Sequence, residues 1–245
     1  MRRPGVDLVV HPAGATELVL IAHGGEEHSH ADPQLWRPAL LRMWPFAAVA
    51  RSAAPDAAIG FARYRFRGWN DDGDPAADLR AVLDELPPVI TRVLLIGHSM
   101  GGRAVVAAGD HARVAGVLAL APWLPDDEPL VALRPPVTFV HGTEDTITSP
   151  AGTTAYATRL RDAGVTVTTY ALAGEGHAML RRPKDWNRLV AEFVRGEAPG
   201  GDELLPALGA GFVSAVPQAL SAFAGVATSL VRLPVRERFR TEAWG

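Results

Sequence analysis

The stretch Arg92-Val93-Leu94-Leu95-Ile96-Gly97-His98-Ser99-Met100-Gly101 decides how the chain is read. A run of β-branched and aliphatic residues closed by glycine, then Ser-Met-Gly-Gly-Arg-Ala-Val-Val-Ala-Ala, predicts a buried strand, a sharp turn and a helix. A serine at the tip of such a turn projects its hydroxyl out of the sheet, and the flanking glycines relieve crowding there. It also stands at a helix N-terminus, where backbone N–H groups face developing negative charge. Ser99 is therefore the candidate nucleophile, and the plainer reading of the same residues is a tight Gly-Ser turn before a helix.

Upstream of this stretch, residues 6–10 read as an edge strand ended by Pro12 and Gly14. Residues 17–22 are apolar almost throughout and read as a central strand buried on both faces. Residues 35–54 have helical spacing, with Pro38 and Pro45 against a clean start and a straight axis. Residues 58–65 read as a strand running into a turn-rich loop, and 74–86 as a helix with Leu79, Val82, Leu83 and Leu86 on one face. Downstream, a helix to about Asp110 precedes a strand at 114–121, a strand at 137–140 and a helix from Pro150 to about Ala163. A strand at 165–172 and a helix from Pro183 to about Arg195 follow. Strands alternating with helices predict an α/β fold: a mostly parallel, doubly wound sheet covered by helices on both faces.

Composition narrows the function. At 245 residues the chain is long enough for one large α/β domain with an appendage. A net charge of −3, with no basic block in the first 200 residues, gives nucleic-acid binding little support. The absence of cysteine removes disulfides, thiolate metal sites and cysteine catalysis, and suits a cytoplasmic setting. Arg2 and Arg3 have no apolar segment behind them, so no signal peptide is expected.

In an open parallel sheet, ligands collect at the carboxyl ends of the strands. Ser99, Asp145 and His177 fall at successive strand ends in that order, as they do around a nucleophile elbow. The chain resembles the α/β-hydrolase superfamily over about residues 7–196, as a serine hydrolase without a large cap domain. The resemblance rests on His23-Gly24-Gly25, Gly97-His98-Ser99-Met100-Gly101-Gly102, His141-Gly142-Thr143-Glu144-Asp145 and Gly176-His177. It implies a nucleophile at Ser99, a general base at His177 and an orienting acid at Asp145. Glu144 is the rival acid; the family pattern places the acid four residues after the His-Gly histidine, at Asp145. His98 and His141 are the rival histidines and are kept as structural. The oxyanion donors implied are the N–H groups of Met100 and Gly25. The reaction implied is hydrolysis of a carboxylic ester or thioester through an acyl-serine. Amide or C–C bond hydrolysis, acyl transfer, perhydrolysis, or a non-catalytic binding protein of the same fold stay open. A serine nucleophile argues against haloalkane dehalogenase or epoxide hydrolase chemistry.

Around that centre, His28, His30, Trp69 and Trp123 are candidate pocket residues for a small-molecule acyl substrate. Glu26, His28, His30 and Asp32 alternate as metal ligands do, but they share one short loop and a serine hydrolase needs no metal, so neither metal nor cofactor is expected. Arg67-Gly68-Trp69 resembles an Arg-Gly turn common in the family. Residues 124–134 leave no room for a full helical cap.

After residue 197 the composition changes. The hydrolase-like domain is placed at 1–197, and a linker with an uncharged amphipathic helical tail at 198–245. Residues 204–231 carry no charge, and Leu204, Leu208, Phe212, Val216, Leu220, Phe223, Ala227 and Leu230 form a stripe interrupted by Pro206 and Pro217. Three roles stay open for it: packing on the domain as a lid, a homodimer contact, or a peripheral membrane contact aided by Arg232, Arg236, Arg238 and Arg240.

Overall fold

The computed structural model describes residues 3–33, 38–197 and 201–206. The helical tail expected beyond 206 lies outside the described residues, as does the start of the helix expected at 35. Among the described residues, the strands form an eight-stranded sheet in the order β1-β3-β2-β4-β5-β6-β7-β8. These are β1 (Gly5–Val10), β2 (Glu17–Ala22), β3 (Ala58–Arg63), β4 (Arg92–His98), β5 (Val114–Leu120), β6 (Val137–Gly142), β7 (Val167–Leu172) and β8 (Gly201–Leu205). Strand β1 is antiparallel to β3 and every other pairing is parallel.

Helices cover both faces of this sheet. On one face lie α2 (Asp74–Glu85), α3 (Met100–Ala107) and α4 (Pro150–Asp162); on the other lie α1 (Pro38–Ala53) and α5 (Pro183–Arg195). The alternation along β4 shows how one strand serves two cores. Val93 and Leu95 enter the first, with Leu83, Val105 and Tyr156, while Leu94 and Ile96 enter the second, with Phe46, Trp186 and Phe193. That double burial is why β2, β4 and β5 are apolar almost throughout. Pro38 opens α1, where a missing N–H costs nothing, and Pro45 lies inside the helix.

Strand order fixes where a ligand can sit. The chain runs outward from β2 to β3, then crosses back past β2 to β4 and continues in the opposite direction. This reversal opens a crevice at the carboxyl ends of β2 and β4. The loop after β2 begins with His23-Gly24-Gly25, and the turn after β4 carries Ser99.

Three of the differences from the sequence reading have a visible cause. Strand β3 ends at Arg63, because Arg65 turns to meet Asp74 and Asp78 on α2. Strand β7 starts at Val167, because Gly164 at φ 85 and the Val165 N–H bonded to the Leu160 carbonyl finish α4 first. The third concerns residues 201–205, expected as linker and the start of the helical stripe. They form β8 instead, parallel to β7, with α5 as the crossover that parallel strands require. Asp202 accepts from Thr169 and Arg161, the Ala173 N–H donates to the Leu205 carbonyl at 3.0 Å, and Leu204 is 65% exposed rather than part of a buried stripe.

The tightest packing in the sheet is at the elbow. A Cβ on Gly97 would lie 2.1 Å from the Gly101 carbonyl oxygen, and one on Gly101 would lie 2.4 Å from that of Ala22. These neighbours are backbone atoms and cannot swing aside. Gly101→Ala is expected to lower stability by about 1–3 kcal/mol in urea unfolding, the usual cost of overpacking a tight site.

Candidate active site

Ser99 occupies the N-cap of α3 with φ 58 and ψ −120, outside the helical and strand regions. The surrounding backbone holds it there. Its N–H donates to the Leu120 carbonyl at 3.0 Å, and its carbonyl accepts from the Arg103 and Trp123 N–H groups, each at 3.1 Å. The first of those acceptor bonds belongs to the helix. The second ties the end of β5 to the turn.

From this turn the side chains form a continuous relay. Ser99 Oγ is 3.1 Å from His177 Nε2, and His177 Nδ1 is 2.8 Å from Asp145 Oδ2. The structure thus brings together three residues from three separate strand ends. With Asp145 ionised, Nδ1 carries the ring hydrogen and Nε2 keeps the lone pair that faces the serine hydroxyl.

Charge in the relay is set by burial and donors. Burial pushes the Asp145 carboxyl up. Donors outweigh it: His141, the Thr148 N–H, His177 and the Ile147 N–H hold the acid well below the usual carboxylate range. For His177 burial dominates and lowers its proton affinity, with the Asp145 bond and charge opposing and Arg42 and His141 adding to the depression. An imidazole depressed in this way is neutral at pH 7 and available as a base.

His98 and His141 lie closer to the relay than the sequence suggested. The His98 ring packs on the His177 ring at 4.7 Å between centroids, and its Nε2 reaches the His177 carbonyl oxygen at 3.0 Å. Burial, helped by His177 and Arg42, holds His98 well below the usual histidine value, so it stays neutral. His141 Nε2 is 3.1 Å from Asp145 Oδ2. A third residue, Thr148, places its hydroxyl 2.9 Å from the same oxygen; an Asp with Thr three positions on in a loop was the available signal.

The loop bearing His177 is built around a buried carboxylate. Glu175 is 1% exposed and accepts from the N–H groups of Gly176, Arg181 and Arg182 and from Trp186 Nε1. These bonds clamp 175–182 onto α5.

Gly25 and Met100 also meet. A Cβ on Gly25 would fall 2.5 Å from Met100 Sδ, and one on Gly24 would fall 3.3 Å from Ser99 Cβ, so the glycine loop lies against the turn. Met100 opens α3, and its N–H therefore has no acceptor within the helix.

The candidate pocket residues separate into two pairs. Trp69 and Trp123 flank the Arg103 guanidinium, at 3.9 and 4.6 Å from the ring centroids. Arg103 also pairs with buried Glu128 at 2.6 Å, which joins the short 121–136 connection to α3. His28 is exposed beside Glu27 and Asp71, and His30 packs edge-on against Phe66. Neither has a hydrogen bond or ring contact with Ser99 or His177 among the described residues. Their loop is pinned to residues 67–70 by bonds that include Gly68 N–H to the Ser29 carbonyl at 2.8 Å and Asn70 N–H to that of Glu27 at 2.9 Å. Glu26 pairs with Arg67, and no cluster of three metal-ligating side chains occurs among the described residues.

A family model described as "Alpha/beta hydrolase family" matches residues 18–150. No curated protein matches the sequence. Among solved structures, esterase PE8 is similar at 18% identity and TM-score 0.58, covering 80% of this chain and 99% of that one. Est1E from Butyrivibrio proteoclasticus is similar at 15% identity and TM-score 0.55, covering 78% and 92%. An alpha-beta serine hydrolase homologue from Coxiella burnetii is similar at 16% identity and TM-score 0.57, covering 77% and 96%. At these identities the likeness is one of fold.

Removing the Glu175 carboxylate leaves its donors buried without a partner. Glu175→Ala is expected to cost about 2–4 kcal/mol in urea unfolding, more than one ordinary hydrogen bond. A loss under about 0.5 kcal/mol contradicts the clamp, being the range of ordinary surface substitutions.

Proposed function

The chain belongs to the alpha/beta hydrolase family, and from that premise we propose that it is a serine hydrolase acting on a carboxylic ester or thioester. The observation that carries this reading is the unbroken relay from Ser99 Oγ through His177 to Asp145.

In this reaction Ser99 Oγ attacks the acyl carbon while its proton passes to His177 Nε2. Asp145 stays ionised throughout, holds the ring in the productive tautomer and stabilises the imidazolium. The oxygen that becomes negative is held by the N–H groups of Met100 and Gly25, each such donor being worth about 10²–10³ in rate. His177 then gives its proton to the departing alkoxide or thiolate, leaving acyl-serine. Water repeats the sequence and frees the acid. Esters and thioesters come first among acyl substrates because their leaving groups need less help than an amine. The Trp123 N–H bond to the Ser99 carbonyl supports the Trp69–Arg103–Trp123 stack as one wall of the acyl site.

Two measurements test the reading. Hydrolysis of a p-nitrophenyl ester series from acetate to palmitate is expected to fall on the order of 10³-fold or more in Ser99→Ala, leaving only residual catalysis. In the wild type, kcat/KM should hold level above pH 7 and fall on acidification. His177 acts as the neutral base and its proton affinity is depressed, so the acid limb should lie below the unperturbed histidine value of 6.5. A limb above that value contradicts the assignment, and so does turnover that survives in Ser99→Ala.

A further inference from the structure

Asp145 binds two histidines. His141, near the end of β6, is 5% exposed and meets the same Asp145 oxygen as His177. Its Nε2 is 3.1 Å from Asp145 Oδ2 and its Nδ1 is 2.9 Å from Thr153 Oγ1 on α4. These partners settle the ring. An ionised carboxylate only accepts, so Nε2 carries the hydrogen, and Nδ1 takes the hydrogen of the Thr153 hydroxyl.

The donors on the carboxylate can then be assigned. Oδ1 accepts the Ile147 and Thr148 N–H groups at 2.8 and 3.0 Å. Oδ2 accepts His177 Nδ1–H at 2.8 Å and His141 Nε2–H at 3.1 Å. Thr148 has one hydroxyl hydrogen, divided between Oδ2 at 2.9 Å and the Ala121 carbonyl at 3.2 Å. Thr148 Oγ1 also lies 3.3 Å from His141 Nε2 and 3.2 Å from His177 Nδ1, so Oδ2 is the nearer acceptor for both imidazole N–H groups, and His141 shares it with His177. Each donor on that oxygen draws charge from the others, as it does in any shared acceptor.

We propose that His141 is a positioning residue of the relay: its Nε2–H on Oδ2 shares the Asp145 carboxylate with His177 and so limits how firmly that carboxylate keeps a proton on His177. The inference rests on the acyl-serine reading of the same site. It is supported by Asp145 itself, where burial pushes the acid up and the donors, His141 foremost, bring it down well past that. The other groups facing His177 are His98 of β4 and Arg42 of α1, and both remain unaltered in the test.

The test is a histidine titration of the full chain by ¹H–¹⁵N NMR with ¹⁵N-histidine labelling, paired with the pH dependence of kcat/KM. His141→Phe keeps a flat ring without a donor. It should raise the His177 midpoint by about 0.5–1 unit, since removing a competing donor returns charge to the acceptor. Thr153→Val is nearly isosteric and removes the hydroxyl that holds His141 Nδ1, loosening the ring's hold on Oδ2; a smaller rise of about 0.3 unit is expected in the same direction. His141→Gln, with an amide N–H in reach of Oδ2, should return the midpoint towards the wild-type value. The acid limb of kcat/KM should move with the midpoint. A structural role alone would lower the plateau and leave the midpoint in place.

Midpoints unmoved in His141→Phe and Thr153→Val, with wild-type melting temperatures, overturn the proposal. Should His141→Phe not fold, the Thr153→Val midpoint decides by itself. Midpoints that move as expected in a chain without esterase turnover uphold the role of His141 and overturn the acyl-serine reading instead.

Discussion

Everything at the site depends on the backbone of one residue. Ser99 sits at φ 58 and ψ −120, a conformation that costs a non-glycine residue on the order of 1–3 kcal/mol. Three hydrogen bonds, to Leu120 and from Arg103 and Trp123, hold it between β5 and α3. The close approach of Gly101 to the Ala22 carbonyl brings α3 down onto β2. The cost of the strain is local and the support comes from the whole central sheet. A hydroxyl carried on a looser turn would not stay within 3.1 Å of an imidazole from another strand end.

Two buried carboxylates near the turn are each surrounded by several donors. Asp145 has its cluster of histidine, hydroxyl and backbone donors, and Glu175 has three backbone N–H groups and an indole. The two carboxylates serve different ends. Glu175 fixes the path of the loop, and Asp145 fixes the state of the ring that the loop carries. Arg103 lies between two indoles and against Glu128, which ties the 121–136 connection to α3.

Much of this is legible in the sequence where the signal is local. Residues 92–101 reveal strand, turn and helix because a fully buried strand is a continuous apolar run and the turn needs its glycines. Asp145 and His177 are recognisable because each follows a strand, in an order that the elbow dictates. Signals that depend on pairing across the chain are not legible. Residues 201–205 read Gly-Asp-Glu-Leu-Leu, with neither alternation nor a buried run, and become β8 because the β7 edge offers backbone partners. The Trp69–Arg103–Trp123 stack joins three segments that no spacing rule connects. His141 and Asp145 are four apart, but on a strand-to-loop turn, where the helical rule that makes such residues neighbours does not apply. His28 and His30, grouped as candidate pocket residues by their place in the loop, have different neighbours, because residues 67–70 set the path of that loop.

The central claim is that Ser99 is made nucleophilic by His177. The most direct measurement is intact-protein mass spectrometry with peptide mapping after exposure to a fluorophosphonate, because it reports the nucleophile without any assumption about the acyl substrate. The account predicts a single adduct at Ser99, formed on the order of 10²-fold or more faster in wild type than in His177→Ala, the scale of general-base assistance. An adduct at another residue, or equal labelling rates in the two proteins, would contradict it.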